Sequence, residues 1–102
     1  MYTKIYNLKF PTISEAKIAV SFLSEEIGGK ISSANIEALS ILLDKEGQVN
    51  VSVKFDNLDD LKRFTNGNAE VFENLRRSFP IRMQEISAVA VFNYVREAGT
   101  TA

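Results

Sequence analysis

The stretch from Gln48 to Phe55 alternates strictly between apolar and polar side chains, and it constrains the fold more than any other part of the chain. The residues of one side are Val49, Val51, Val53 and Phe55, and those of the other are Gln48, Asn50, Ser52 and Lys54. Because successive side chains of a strand point to opposite faces, this segment predicts a strand with one buried and one polar face. The sheet that contains it should be covered on one side only.

The segments around this strand alternate between strand-like and helix-like patterns. The predicted elements are, in chain order, a strand at 2–10, a helix at 13–27, strands at 33–43 and 48–55, two helical segments between 57 and 79, and a strand at 81–94. Thr12 and Glu15 have the spacing of a capping box at the start of the first helix. The helix should end at Gly28 and Gly29.

The order strand, helix, strand, strand, helix, strand is the split βαβ pattern. With right-handed crossovers it predicts an α+β, ferredoxin-like fold, with a four-stranded antiparallel sheet and helices on one face. The 102 residues are enough for one domain with a small core. We expect residues 1–97 to form this domain and residues 98–102 to be a flexible tail.

The chain has twelve basic and thirteen acidic side chains, so its net charge is −1. A charge this small gives no overall field that would draw the protein onto nucleic acid or an anionic membrane. The first ten residues alternate instead of forming the apolar block of a secretion signal, and no apolar run approaches the ~18 to 20 residues of a membrane span. We therefore expect a cytoplasmic location and no membrane partner.

Cysteine and histidine are both absent. Their absence excludes disulfides, thiolate nucleophiles and zinc sites built from cysteine and histidine, and it removes the side chain best suited to proton transfer near neutral pH. No serine, lysine or glutamate is singled out as a catalytic group by its sequence context. We predict no catalytic residues, no metal, no cofactor and a role other than catalysis.

Several short motifs, spread over nearly the whole chain, share their order with one known family. They are Pro11 followed by the helix SEAKIAVSFLSEEI, the segment SSANI with Asn35 and Ile36, and Pro80, Glu85, Ile86 and Ala88 at the spacing Pro-x-x-x-x-Glu-Ile-x-Ala. In these features the chain resembles the CutA family of divalent-cation-tolerance proteins, which are small ferredoxin-like trimers related in fold to PII signalling proteins. The resemblance implies the same fold and sheet packing between subunits.

The chain departs from that family pattern at four positions. Ser33 stands where the family has cysteine, Phe79 where it has histidine, Ile81 where it has tyrosine and Gln84 where it has a second proline. Because cysteine and histidine would be the ligands of a soft metal, the resemblance does not extend to metal binding.

The predicted last strand, residues 81–94, is apolar on both faces, which a sheet covered on one side does not explain. At about 3.3 Å per residue it would extend roughly 45 Å, well beyond the usual strand length. We predict that it forms an interface in a homo-oligomer, either a dimer or a trimer. The predicted interface residues are Ile86, Ala88, Val89, Ala90, Val91, Phe92, Tyr94 and Val95. The alternative is a central strand whose Ser87 face is covered by residues 56–79.

Three arginines lie close together between the second helical region and the last strand. Arg76 and Arg77 fall at the predicted end of a helix, where the helix dipole stabilises cations, so structure alone accounts for them. As a nucleic-acid site in a sheet of the RNA-recognition type, the cluster would be joined by other cations and by tyrosines. The full set would be Arg76, Arg77, Arg82, Lys54, Tyr2 and Tyr6. So few charges do not favour this interpretation.

The sequence favours a non-catalytic binding or regulatory protein that self-associates through its sheet. It would bind a protein partner or a small ligand at subunit boundaries. Two alternatives stay open: a module for RNA or single-stranded nucleic acid, and an enzyme of the dimeric α+β-barrel type. The missing histidine weighs against the enzyme.

Overall fold

The computed structural model describes residues 1–96, and the tail predicted at residues 98–102 lies outside them. Its elements, in chain order, are β1 (Tyr2–Lys9), α1 (Ile13–Gly28), β2 (Ala38–Leu43), β3 (Gln48–Phe55), α2 (Leu58–Gly67), α3 (Ala69–Ser78) and β4 (Arg82–Val89). All the predicted strands and helices are present, although several boundaries differ. No helix within residues 1–96 combines the length and the apolar content needed to span a membrane.

Short polar side chains set the starts of α1 and α2. The Thr12 hydroxyl accepts a hydrogen bond from the Glu15 N–H at 3.2 Å and donates to the Glu15 carboxylate at 3.0 Å, so the predicted capping box is confirmed. The Asn57 side-chain oxygen lies 2.9 Å from the N–H of Asp60 and caps α2 in a similar way. The chain turns between α2 and α3 at Asn68, whose N–H and side-chain amide both donate to the carbonyl of Phe64.

The four strands form one antiparallel sheet in the order β2-β3-β1-β4. The register places Val51 of β3 opposite Tyr6 of β1 on one side and Ile41 of β2 on the other. Apolar side chains of these strands pack against all three helices in a single core. The predicted ferredoxin-like α+β fold is therefore confirmed, and so is the division of β3 into one buried and one polar face.

The second strand is shorter than predicted. Residues 29–35 form turns instead of a strand, and Asn35 adopts a left-handed backbone with a φ of 57°. The Ile36 N–H donates to the Ile31 carbonyl at 3.0 Å, which closes this turn and leaves the strand to begin at Ala38. Asparagine tolerates the left-handed conformation better than most residues, so the turn is compatible with the sequence.

The last strand is also shorter than predicted, because its pairing with β1 ends at Val89. β4 pairs only with β1, and Val89 lies opposite Tyr2. The last bond between them joins the Ala90 N–H to the Met1 carbonyl at 2.9 Å, after which the chain bends at residues 91 and 92. The predicted strand over 81–94 is therefore wrong beyond Val89.

β4 is an edge strand, so the alternative of a central strand covered by residues 56–79 is wrong. From Gln84 onwards every residue of β4 is exposed, including Ser87 and Val89 on the side that faces the helices. α2 lies over β1 and β3, and α3 reaches β1 through Phe72, whose ring stacks on Tyr6, while the outer part of β4 stays bare.

Candidate functional site

One side of the sheet carries no helix, and we call this side the open face. Directly opposed residues of antiparallel strands point to the same side, so the register defines its members. They are Thr3, Ile5, Asn7 and Lys9 of β1, Ala38, Ser40 and Leu42 of β2, Gln48, Asn50, Ser52 and Lys54 of β3, and Arg82, Gln84, Ile86 and Ala88 of β4.

The open face has an apolar centre between polar rows. Ile5 and Ile86 lie opposite each other on β1 and β4, and Ile86 keeps 44% of its surface exposed. Beside them runs a row of carboxamides, in which the Asn50 side chain donates to the Asn7 side chain at 2.8 Å and Gln84 lies opposite Asn7. An exposed apolar centre with a polar surround is the composition of a protein interface.

The charged strand residues of the open face all have one sign. Its cations are Lys9, Lys54 and Arg82, and none of the strand residues that point to this side is a carboxylate. Lys9 and Arg82 lie opposite each other in the register, so two cations stand side by side. The Lys9 ammonium donates to the Glu46 carbonyl at 2.7 Å, and within residues 1–96 Arg82 forms no ion pair.

The open face is hollowed at the end nearest the β2–β3 turn. The hollow, which we call the open-face trough, has a volume of about 720 Å³. The side chains that matter for its chemistry are Asn7, Lys9, Leu42, Asn50, Arg82 and Gln84. Asp44 also reaches the trough, but its carboxylate accepts the N–H groups of Glu46 and Gln48 at 2.9 Å each. The backbone bond from Gln48 is the main cause that holds the pKa of Asp44 below its usual value.

The chain that follows β4 is apolar and uncovered. We call residues 90–96 the terminal arm, in which Val91, Phe92, Tyr94 and Val95 are 95%, 87%, 76% and 72% exposed. Four neighbouring apolar side chains in water form a larger patch than a soluble monomer usually tolerates. The arm therefore needs a covering surface that residues 1–96 do not supply.

The structure divides the predicted interface residues among three places. Ile86 and Ala88 lie on the open face, and Val89 lies on the side of the helices, although it is exposed. Ala90, Val91, Phe92, Tyr94 and Val95 lie in the terminal arm. All are accessible, and their role in an interface stays a prediction.

The structure separates the residues proposed for nucleic acid. Lys54 and Arg82 lie on the open face, whereas Tyr2 and Tyr6 face the helices, and Arg76 and Arg77 lie in the last turn of α3. Tyr6 is 2% exposed and stacks on Phe72 with ring centroids 3.8 Å apart, so it cannot stack on a base. Arg77 binds Asn74 at 2.9 Å and Glu70 at 3.7 Å within its own helix. These residues do not form one surface.

A second polar cluster lies on the side of the helices, where α3 leaves β4 uncovered. The Lys4 side chain is 8% exposed, and its ammonium lies 3.0 Å from Glu85 Oε1, 3.3 Å from Ser87 Oγ and 5.5 Å from the centre of the Tyr6 ring. Beside it a cavity of about 250 Å³, the helix-side groove, is lined by Tyr6, Phe72, Arg76, Met83 and Glu85 among others.

Burial raises the pKa of the Tyr6 phenol well above its ordinary value. The Glu85 carboxylate raises this pKa further, and a hydrogen bond with Thr65 lowers it. Tyr6 therefore stays protonated at neutral pH, so it can donate a hydrogen bond but does not act as a base.

Removing Glu85 should destabilise the protein more than removing Lys4. In Glu85→Leu the buried ammonium loses its carboxylate, which should lower the free energy of unfolding by about 2 kcal/mol. In Lys4→Met the remaining carboxylate is 43% exposed and can be hydrated, so the loss should stay below about 1 kcal/mol. Urea unfolding of both variants measures the difference. Equal losses would contradict the assignment of Lys4 as the buried partner.

The amino-acid sequence alone does not indicate the trough or the buried ion pair. Period two alone places Asn7 and Lys9 on the same side of β1, and it also places Lys4 on the side of Tyr6 and Leu8. The alternation does not predict that Lys9 lies opposite Arg82 or that Tyr6 lies opposite Glu85. Both pairs depend on the register between β1 and β4, which are distant in sequence.

No protein-family model matches this chain, and no curated protein gives a significant match. Several solved structures resemble it in fold. A candidate antibiotic biosynthesis monooxygenase from Deinococcus radiodurans superposes with a TM-score of 0.77 at 12% sequence identity, over 96% of this chain and 100% of that chain.

Two proteins from an uncultured marine organism, each described as a dimeric ferredoxin-like protein, also superpose on the chain. Their TM-scores are 0.71 and 0.67, both at 12% identity. The first match covers 94% of this chain and 100% of that chain, and the second covers 91% and 97%. At this identity the likenesses show the ferredoxin-like fold.

Proposed function

We propose that this is a non-catalytic, cytoplasmic binding protein that works as a homodimer. Two copies pack through their open faces, and each terminal arm covers part of the partner. A small ligand or a protein segment binds in the open-face trough at the boundary between the subunits. The observation that carries the proposal is the terminal arm, whose Val91 and Phe92 are almost fully exposed. It directly follows β4, the strand that places Ile86 on the open face.

The dimensions of the sheet support an interface that includes the arm. Four strands about 4.8 Å apart and about eight residues long give a face of roughly 19 by 26 Å, or about 500 Å². A stable dimer usually buries about 800 Å² on each partner. Burying one phenylalanine or tyrosine removes roughly 150–250 Å² of surface, so Phe92 and Tyr94 would supply the missing area.

A second copy is the occupant that fits the open face best. In a two-fold dimer the same patch meets itself, so the Ile5 and Ile86 centre of one copy would lie against that of the other. Two proteins of this fold are described as dimeric, which favours two subunits. The resemblance to the CutA family would imply three, and a measured trimer would support that family instead.

The arm can be tested by a substitution that leaves the monomer unchanged. Phe92→Ser removes an exposed side chain, so the stability of the separated subunit should not fall. Each copy would lose about 1.5 kcal/mol of interface burial, and two-fold symmetry doubles the loss, which raises the dissociation constant on the order of 100-fold. Sedimentation equilibrium measures this constant.

Ile18→Ser is the matched control for the arm, because Ile18 is also exposed but lies on α1, away from the open face. The control should dimerise like the wild type. If both substitutions have the same effect, the arm does not contact the partner.

An enzyme acting at the helix-side groove is the second candidate. The buried pair of Lys4 and Glu85 beside a small cavity favours it, as does the fold likeness to the Deinococcus radiodurans protein. Loss of turnover in Glu85→Gln, with the dimer intact, would support the enzyme over the binding role.

A further inference from the structure

The strand residues of the open face carry a net positive charge, whereas the rest of the chain has a net negative charge. The whole chain has thirteen acidic side chains and a net charge of −1. The strand residues that point to the open face include Lys9, Lys54 and Arg82 but no carboxylate. An ordinary solvated face of a chain with this composition would carry both signs, so the segregation calls for a physical explanation.

The excess of cations on the open face affects association if two copies pack through this face. The inference therefore rests on the proposed dimer. Packing two open faces brings six cations into one interface, against two Asp44 carboxylates at the troughs, and removes part of their water. Like charges that are brought together and desolvated repel each other more strongly than in water, which opposes association. A bound anion between the subunits would remove this opposition.

The trough offers the space and the donors that such an anion needs. Lys9 and Arg82 line it and lie opposite each other in the register, and Arg82 has no ion-pair partner within residues 1–96. The carboxylate of Asp44, which also lines the trough, is held by the N–H groups of Glu46 and Gln48. The Asn7 oxygen already accepts from Asn50, so the Asn7 amide nitrogen is left as a donor in the next row. A guanidinium, an ammonium and neutral amides together bind carboxylate and phosphate oxygens well.

We propose that the open-face trough binds a small organic anion with carboxylate or phosphate groups, and that this anion couples ligand binding to dimerisation. The volume of about 720 Å³ is too large for one inorganic ion alone and suits a small metabolite. Because binding and association are linked, an anion that prefers the dimer tightens it, and the dimer in turn tightens the anion.

Sedimentation equilibrium at low ionic strength, with and without millimolar probe, tests this coupling. Citrate and glycerol 3-phosphate are the probes, because they distinguish carboxylate from phosphate recognition, and chloride at equal ionic strength is the reference. At least one probe should lower the dimer dissociation constant about tenfold relative to chloride. If neither probe lowers the dimer dissociation constant more than chloride does, the anion site does not exist.

The double variant Lys9→Gln/Arg82→Gln tests the residues assigned to the site. Without a probe it should dimerise more tightly than the wild type, because the repulsion is reduced, and the probe should then change its dissociation constant less than twofold. The matched control Lys17→Gln/Lys62→Gln makes the same charge change on exposed positions of α1 and α2 and should respond to the probe like the wild type.

The outcomes separate this inference from the proposed function. A protein that is monomeric under every condition would overturn the dimer itself. A dimer whose dissociation constant is the same in chloride and in both probes, and in which the double variant matches its control, would overturn the anion site and leave the dimer standing.

Discussion

Replacing Ile86 by glutamate should turn the proposed dimer into a folded monomer. Ile86 lies opposite Ile5 at the apolar centre of the open face, and it is exposed in the single chain, so the glutamate costs the monomer little. In the dimer the same glutamate would be buried twice, once from each copy, between the two isoleucine centres. The cost of removing its water there exceeds the attraction of the cations in the outer rows of the open face. A cost of about 2 kcal/mol per copy raises the dissociation constant on the order of 1000-fold.

A control must show what a new charge does at an exposed apolar position that lies outside the open face. Ile18→Glu makes the same change on α1, where the side chain is 61% exposed and lies outside the open face. Sedimentation equilibrium should give a dimer for the control and a monomer for Ile86→Glu, with the same circular dichroism spectrum for both. If Ile86→Glu dimerises as tightly as its control, the subunits do not meet through the open face.

Replacing Phe72 by alanine should be the most destabilising single change considered for the helical layer. Phe72 is buried on α3, and its ring stacks on that of Tyr6 with an interplanar angle of 14°. The substitution removes this contact and leaves a cavity between α3 and the sheet. Losses of about 3–5 kcal/mol in the free energy of unfolding are typical of such a change.

Urea unfolding measures this loss, and the Ile86→Glu background removes any contribution from the dimer. Asn74→Ala is the control, since Asn74 is exposed on the same helix and its replacement should cost about 0.5 kcal/mol or less. A loss below about 1.5 kcal/mol for Phe72→Ala would mean that α3 does not pack on β1 as described.

The sequence predicted the architecture well because the local patterns and the global fold agree. The alternation of Gln48 to Phe55 and the capping box of Thr12 and Glu15 each specify one element, and the order of the elements then leaves few topologies. The structural place of Arg76 and Arg77 in the last turn of a helix was also predicted correctly. These features depend on residues that are near each other in the chain.

The prediction failed where the structure depends on pairing between distant segments. The apolar composition predicts a strand up to residue 94, but the pairing with β1 ends at Val89 and the backbone bends at residues 91 and 92. Tyr6 belongs to the nucleic-acid alternative only because its position on a strand does not tell which face the helices cover. The amino-acid composition of a segment indicates which conformation it favours, whereas the end of a strand depends on its pairing with the neighbouring strand.

The same limit explains why the candidate site was only half predicted. Ile86 and the apolar residues after it are predicted as an interface because they form a continuous apolar segment in the sequence. The trough was not identified, because Asn7, Lys9 and Arg82 come from two strands more than seventy positions apart and meet only through the antiparallel register. A charge-segregated face of this kind can be found only after the strands have been paired.

The mass of the wild-type protein in solution tests the central claim most directly. Light scattering coupled to size-exclusion chromatography, at micromolar concentration and in the presence of citrate, should give twice the mass of one chain. The mass of a single chain across the same concentrations would contradict self-association through the open face and the terminal arm.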